Sequence, residues 1–132
     1  MQATEQLTEQ KQSIKDFFDA LNKKEFKTAF TYFHDDLQWW IIGNIQVSGK
    51  KDKRGMQTGF KLLFRLFSEL RFELGEFTEE GNRVSATAES KGTTTSGKVY
   101  HNHYHFLITF QDGKFANVKE YLDTQHAASL EG

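Results

Sequence analysis

Apolar residues along this chain keep a helical period first and a strand period afterwards. Ile14, Phe17, Phe18 and Leu21 fall at the i, i+3, i+4, i+7 spacing that gathers side chains on one helix face. This predicts an amphipathic helix from Thr8 to Asn22 with Thr8 as its N-cap. A short second helix is expected from Glu25 to Phe33, carrying Phe26, Ala29, Phe30 and Phe33 on one side and ended by His34-Asp35-Asp36. From Leu37 to Ile42 the period drops to two, with Leu37, Trp39 and Ile41 on one face and Gln38, Trp40 and Ile42 on the other. Both faces are largely apolar, so the outer one is expected to meet another surface. Gly43 to Gly55 reads as loop. Met56 to Leu70 then reads as a third helix, its stripe of Met56, Phe60, Leu63, Phe67 and Leu70 widened by Leu62, Phe64 and Leu66, which predicts cover on more than one side. Arg71 to Thr78 is a strand, Gly81-Asn82 a turn, and Arg83 to Lys91 a strand in which Val84, Ala86 and Ala88 alternate with polar residues. Gly92 to Gly97 is a threonine-rich loop.

The last third, Tyr100 to His126, places polar groups on an apolar face. Two alternating runs flank an Asp112-Gly113 turn. In the first, Tyr100, Asn102, Tyr104, Phe106, Ile108 and Phe110 share one side, and His101, His103 and His105 the other. In the second, Ala116, Val118, Glu120 and Leu122 face one way and Phe115, Asn117, Lys119, Tyr121 and Asp123 the other. Asn102, Tyr104 and Glu120 therefore sit among apolar neighbours, where an unpaired polar group is costly. A pocket is expected there. Burial would raise the pKa of Glu120 into the range useful for acid–base work, with Tyr104 and Asn102 orienting a ligand's carbonyl or hydroxyl. The bland alternative is a buried network in which these groups satisfy one another, or in which Glu120 pairs with Arg65 or Arg71.

Strands gathered after helices define an α+β class, with a curved antiparallel or mixed sheet wrapped around N-terminal helices. At 132 residues the chain fits one domain spanning residues 1–132. Thirteen phenylalanines can line a cavity as well as fill a core, and the chain contains no proline. The net charge of −1, with both signs interspersed, gives no electrostatic case for nucleic acid. The absence of cysteine removes disulfides, thiolate catalysis and cysteine-ligated metals. A polar amino terminus and the lack of a long apolar run point to a cytoplasmic protein with no membrane partner. The basic run Lys50, Lys51, Lys53 and Arg54 lacks the glycine pattern of a phosphate cradle and reads as a solvated loop.

Three segments carry a family resemblance: Asp36-Leu37-Gln38-Trp39-Trp40-Ile41-Ile42-Gly43, Tyr100-His101-Asn102-His103-Tyr104, and Asp112-Gly113-Lys114 running on to Glu120-Tyr121-Leu122-Asp123-Thr124. With them the chain resembles the SnoaL-like branch of the NTF2-like superfamily, the cone-shaped α+β fold shared with ketosteroid isomerases. The resemblance implies three polar roles inside the cone: a carboxylate base on the first strand, a tyrosine on the first helix and a protonated aspartic acid on a late strand. Matched from Asp35-Asp36 and from Phe110, these roles fall at Ile41, Phe17 and Phe106, all apolar. Steroid isomerase chemistry of that kind is therefore not expected. SnoaL-like cyclases also imply an acidic acid–base residue near the end of the last strand, the place of Asp123. Strict alternation turns Asp123 outward, and capping of the turn at Thr124-Gln125-His126 is its alternative role.

The expected site thus has Glu120, Tyr104 and Asp123 as catalytic candidates and Asn102, Trp39, Phe17, Ile41 and Phe106 as ligand-binding ones. Trp39 would equally serve to pack the helices against the sheet. No cofactor is expected. Alternate histidines can share a metal, but no acidic partner stands at obvious spacing to His101, His103 and His105, so no metal is expected. The resemblance makes that outer stripe, with Tyr121, Phe115 and Trp40, the surface of a homodimer. Three functions compete: an enzyme of isomerase or cyclase type acting by proton transfer on a hydrophobic carbonyl compound, a non-catalytic module binding a small apolar ligand, and a dimeric scaffold.

Overall fold

The computed structural model describes residues 7–131. Its elements run α1 (Glu9–Asn22), α2 (Phe26–Phe30), β1 (Phe33–Ile41), β2 (Gly49–Asp52), α3 (Lys53–Arg65), β3 (Phe67–Glu80), β4 (Arg83–Thr94), β5 (Val99–Gln111), β6 (Lys114–Leu122) and α4 (Thr124–Ala128). The strands form one six-stranded sheet in the order β2-β1-β6-β5-β4-β3. Every neighbouring pair is antiparallel except β1 and β6, which run parallel, so the sheet is mixed.

Thr8 caps α1 as its sequence predicts, its hydroxyl accepting from the Lys11 amide at 3.2 Å. Ile14, Phe17, Phe18 and Leu21 all lie on the buried face. At the far end of α1, the Asn22 carboxamide donates to the Phe72 carbonyl at 2.9 Å and accepts from the Phe72 amide at 2.8 Å. Phe72 lies on β3, an edge strand, and Asn22 thereby closes a backbone position that would otherwise lack partners.

The sheet pairing reshapes four predicted boundaries. The second helix stops at Phe30 instead of Phe33, because the Tyr32 carbonyl already accepts from the Phe115 amide at 2.8 Å and Phe33 opens β1. The expected 43–55 loop contains β2, which pairs with β1 from Gln38 to Ile41, and Asp52 caps α3 through a 2.8 Å bond from the Gly55 amide. The third helix ends at Arg65 instead of Leu70: Phe67 and Leu70 join β3, opposite Thr94 and Gly92. Leu62 and Leu66 are half exposed, so α3 is covered on one side only. Gly92 lies within β4, not in a loop, and a Cβ there would sit 2.4 Å from the Glu69 carbonyl oxygen, so only glycine fits that crossing.

The final hairpin turns at Asp112-Gly113, both with positive φ, as a two-residue loop between twisted strands requires. Its alternation breaks once. Thr109 pairs with Asn117 but Phe110 pairs with Phe115, so Ala116 is an extra residue and a bulge. Phe115 therefore points into the core, fully buried, and not to the outer stripe where strict alternation puts it. At the base of the core the rings of Phe33, Phe60 and Phe115 pack around that of Phe17 at centroid distances of 5.3–5.8 Å.

Candidate functional site

Away from that aromatic base the concave side of the sheet opens into a cavity of about 540 Å³. Its wall is mostly apolar: Phe18 from α1, Met56, Phe60 and Leu63 from α3, and Ile41, Phe72, Phe106 and Leu122 from the sheet. Val47, Leu62, Leu66 and Leu130 surround the mouth, and Glu131 accepts from the Gln46 amide at 2.8 Å, joining the β1–β2 loop to the C-terminal segment.

Among the described residues two acids line this space, Glu131 at the mouth and Glu120 on the inner wall. Glu120 stands on β6 directly between Ile41 of β1 and Phe106 of β5. Two of the positions where the family resemblance places polar catalytic groups are thus apolar, and the acid sits on the strand between them. The Trp39 indole N–H donates to Glu120 Oε1 at 2.8 Å, which fixes the carboxyl rotamer. Burial pushes the Glu120 pKa up to about 7, against smaller downward pulls from the Trp39 hydrogen bond and the Lys51 ammonium. Neither Arg65 nor Arg71 is its partner; the cation that acts on it is Lys51, which lines the cavity from β2. Lys51 escapes a sequence reading that treats its segment as loop.

Tyr104 and Tyr100 reach the same cavity from β5. The Tyr104 hydroxyl is 2.8 Å from the Ser90 hydroxyl and also meets the Tyr100 hydroxyl; burial raises the pKa of both phenols, keeping them protonated. Asn102 donates to the Tyr100 hydroxyl at 2.7 Å and to the Asp123 carbonyl at 3.1 Å, while its oxygen accepts from the His103 amide at 2.7 Å and the Asp123 amide at 3.1 Å. A primary amide has two donors and two acceptor lone pairs, so Asn102 has none left for a ligand. It ties β5 to the start of α4. Tyr100 and Ser90 complete the network, and their parity with Tyr104 and Ala88 was the available signal for both.

The predicted site residues separate accordingly. Glu120, Tyr104, Ile41 and Phe106 share the cavity. Phe17 does not: it is fully buried in the aromatic base, and its neighbour Phe18 takes the wall position. Trp39 is buried behind the wall and contributes through its N–H to Glu120. Asp123 lies outside, capping α4 by accepting from the His126 amide at 3.1 Å, so its alternative role is the one the geometry holds.

A six-stranded mixed sheet, curved over N-terminal helices around an apolar cavity with a half-buried acid on its inner wall, defines an α+β pocket protein of the cone type. Residues 14–118 match the SnoaL-like domain family, and the chain belongs to that family. Comparison of the sequence with curated proteins finds no match. Among solved structures, TerC co-crystallised with polyporic acid superposes with a TM-score of 0.82 at 18% identity, over 95% of this chain and 100% of that one. An NTF2-like protein from Burkholderia pseudomallei gives a TM-score of 0.82 at 16% identity, covering 94% and 98%. AclR, a putative hydroxylase from Streptomyces galilaeus, gives 0.78 at 15% identity, covering 93% and 85%. At these identities the likeness concerns the fold. Among the described residues no helix is long and apolar enough to cross a membrane.

Proposed function

We propose that this protein binds an apolar, ring-containing carbonyl compound in its cone and that Glu120 moves a proton on it as an isomerase- or cyclase-like acid–base group. The observation that carries the reading is the Glu120 carboxyl itself, among the described residues the one acid on the wall inside the mouth, fixed by Trp39 and with a pKa raised to about 7 by burial. Such an acid takes up or gives a proton near neutrality at little cost. The protonated phenol of Tyr100, which accepts from Asn102 and lines the cavity, supplies an O–H for a carbonyl oxygen. The co-crystallisation of the similarly folded TerC with polyporic acid supports the reading of the cone as a ligand site.

The test uses a cyclic aromatic ketone in D2O, with exchange at its α-carbon followed by proton NMR. Exchange by the native protein that Glu120→Gln abolishes, without loss of binding, is the expected result; equal exchange by both proteins overturns the proposal. A non-catalytic binding module is the second reading. It is favoured by the internal engagement of Tyr104 with Ser90, which leaves the carboxyl with few partners in chemistry. Binding of polyporic acid with no exchange for any ketone tried would select it. Homodimerisation through the outer sheet face belongs to the same proposal, supported by Tyr121, which is partly exposed and packs edge-on to Trp40 at 5.5 Å. A monomeric mass in sedimentation, unchanged by Tyr121→Glu, would exclude it.

A further inference from the structure

We propose that Glu89, His101 and His103 form a binding site for one divalent transition-metal ion of the zinc, nickel or copper class on the outer face of the sheet. The site is separate from the cone, and its fate leaves the reading of Glu120 untouched. His101 and His103 are two residues apart on β5, so their rings project from the same face and lie side by side with centroids 4.9 Å apart. Glu89 stands directly opposite His103 on β4, which is why no local sequence spacing reveals it. Its Oε1 lies 2.7 Å from His101 Nε2 and 3.8 Å from His103 Nδ1, and one ligand atom from each residue falls within 4.8 Å of the others.

Those distances bracket what a metal needs. With bonds of about 2.0 Å, donor atoms around a four-coordinate zinc ion stand roughly 3.3 Å apart. Small rotations of exposed side chains bring the three donors to that spacing. Two imidazoles and one carboxylate select zinc, nickel or copper over magnesium and calcium, which take oxygen ligands. In the single chain the remaining coordination positions face solvent and would hold water.

Neighbouring charges neither create nor forbid the site. Lys91, opposite His101, is engaged by Glu73 at 3.5 Å, so the adjacent cation has its own counter-charge; Arg71 lies opposite Lys91 one strand further. His105 shares the face but is taken up by a hydrogen bond with the Ser85 hydroxyl, so it serves as the control.

The test is calorimetric titration of the untagged protein with Zn2+ at pH 7.5. One ion per chain is expected, with affinity reduced about tenfold or more by His103→Ala or Glu89→Gln and unchanged by His105→Ala. Ring-nitrogen NMR of the unmutated protein gives a second readout: zinc should shift the signals of His101 and His103 and leave those of His105. Absence of a saturable one-site isotherm, equal loss in all three variants, equal binding of Mg2+, or unshifted His101 and His103 rings would overturn the proposal.

Discussion

At the scale of single residues, Glu120 sets a pH dependence whose sign follows from its environment. Its pKa in the fold is about 7 against 4.5 for the free side chain, because burial disfavours the charged form. Between those values the native state holds a proton that the unfolded chain has released, so stability falls as pH rises through the window. Below about pH 4.5 the group is neutral in both states and contributes nothing; above about pH 7 its full penalty is present. Glu120→Gln keeps an acceptor for the Trp39 N–H and removes the titration. The variant is expected to match the native protein at pH 4.5 and to exceed it at pH 8 by about 1–3 kcal/mol, allowing for the water an open cavity admits. Urea unfolding at both values checks this, and a difference independent of pH would contradict the assignment. Asp123 gives the complementary case. As a helix cap, Asp123→Asn should be neutral and Asp123→Ala should cost about 1 kcal/mol, whereas a catalytic acid would lose activity in both.

At the scale of elements, local periodicity located the helices and most strands, and it misplaced the ends and faces that a distant partner sets. The first helix was legible because Ile14, Phe17, Phe18 and Leu21 encode its face within two turns. The end of the third helix was not, because Phe67 and Leu70 continue its apolar stripe while their backbone is claimed by Thr94 and Gly92 in the sheet. Strand β2 was hidden for the same reason: Gly49–Asp52 has no hydrophobic pattern and exists through its pairing with β1. The placement of Glu120 was legible, since Val118 and Leu122 mark its parity, yet the bulge at Ala116 that reverses Phe115 leaves no local sign. Edge closure by Asn22 belongs at this scale too. Asn22→Ala strips both partners from the Phe72 backbone and is expected to cost about 1–3 kcal/mol, with faster amide exchange confined to β3 and the end of α1. Uniformly faster exchange would show that the contact is not what holds this edge.

For the molecule as a whole, one apolar interior is divided between a solid base and a hollow upper part, and the division predicts unequal responses to the same kind of damage. Phe17 is fully buried among Phe18, Phe33, Phe60 and Phe115, with ring contacts on every side. Truncating it to alanine opens a void that the surrounding rings cannot fill, at a cost of about 3–5 kcal/mol. Leu63 is partly exposed on the cavity wall, where some of its surroundings are already empty. Fewer contacts are lost there, so Leu63→Ala should cost less than the roughly 2–5 kcal/mol typical of a packed leucine. Ligand affinity should show the reverse order, falling with Leu63→Ala and holding with a base substitution mild enough to fold, such as Phe17→Leu. Stability is read from urea midpoints at constant slope, and affinity from quenching of tryptophan fluorescence, Trp39 being bonded to the Glu120 carboxyl. If Leu63→Ala costs as much as Phe17→Ala, the hollow has closed in solution, and the wall residues pack a core instead of shaping a site.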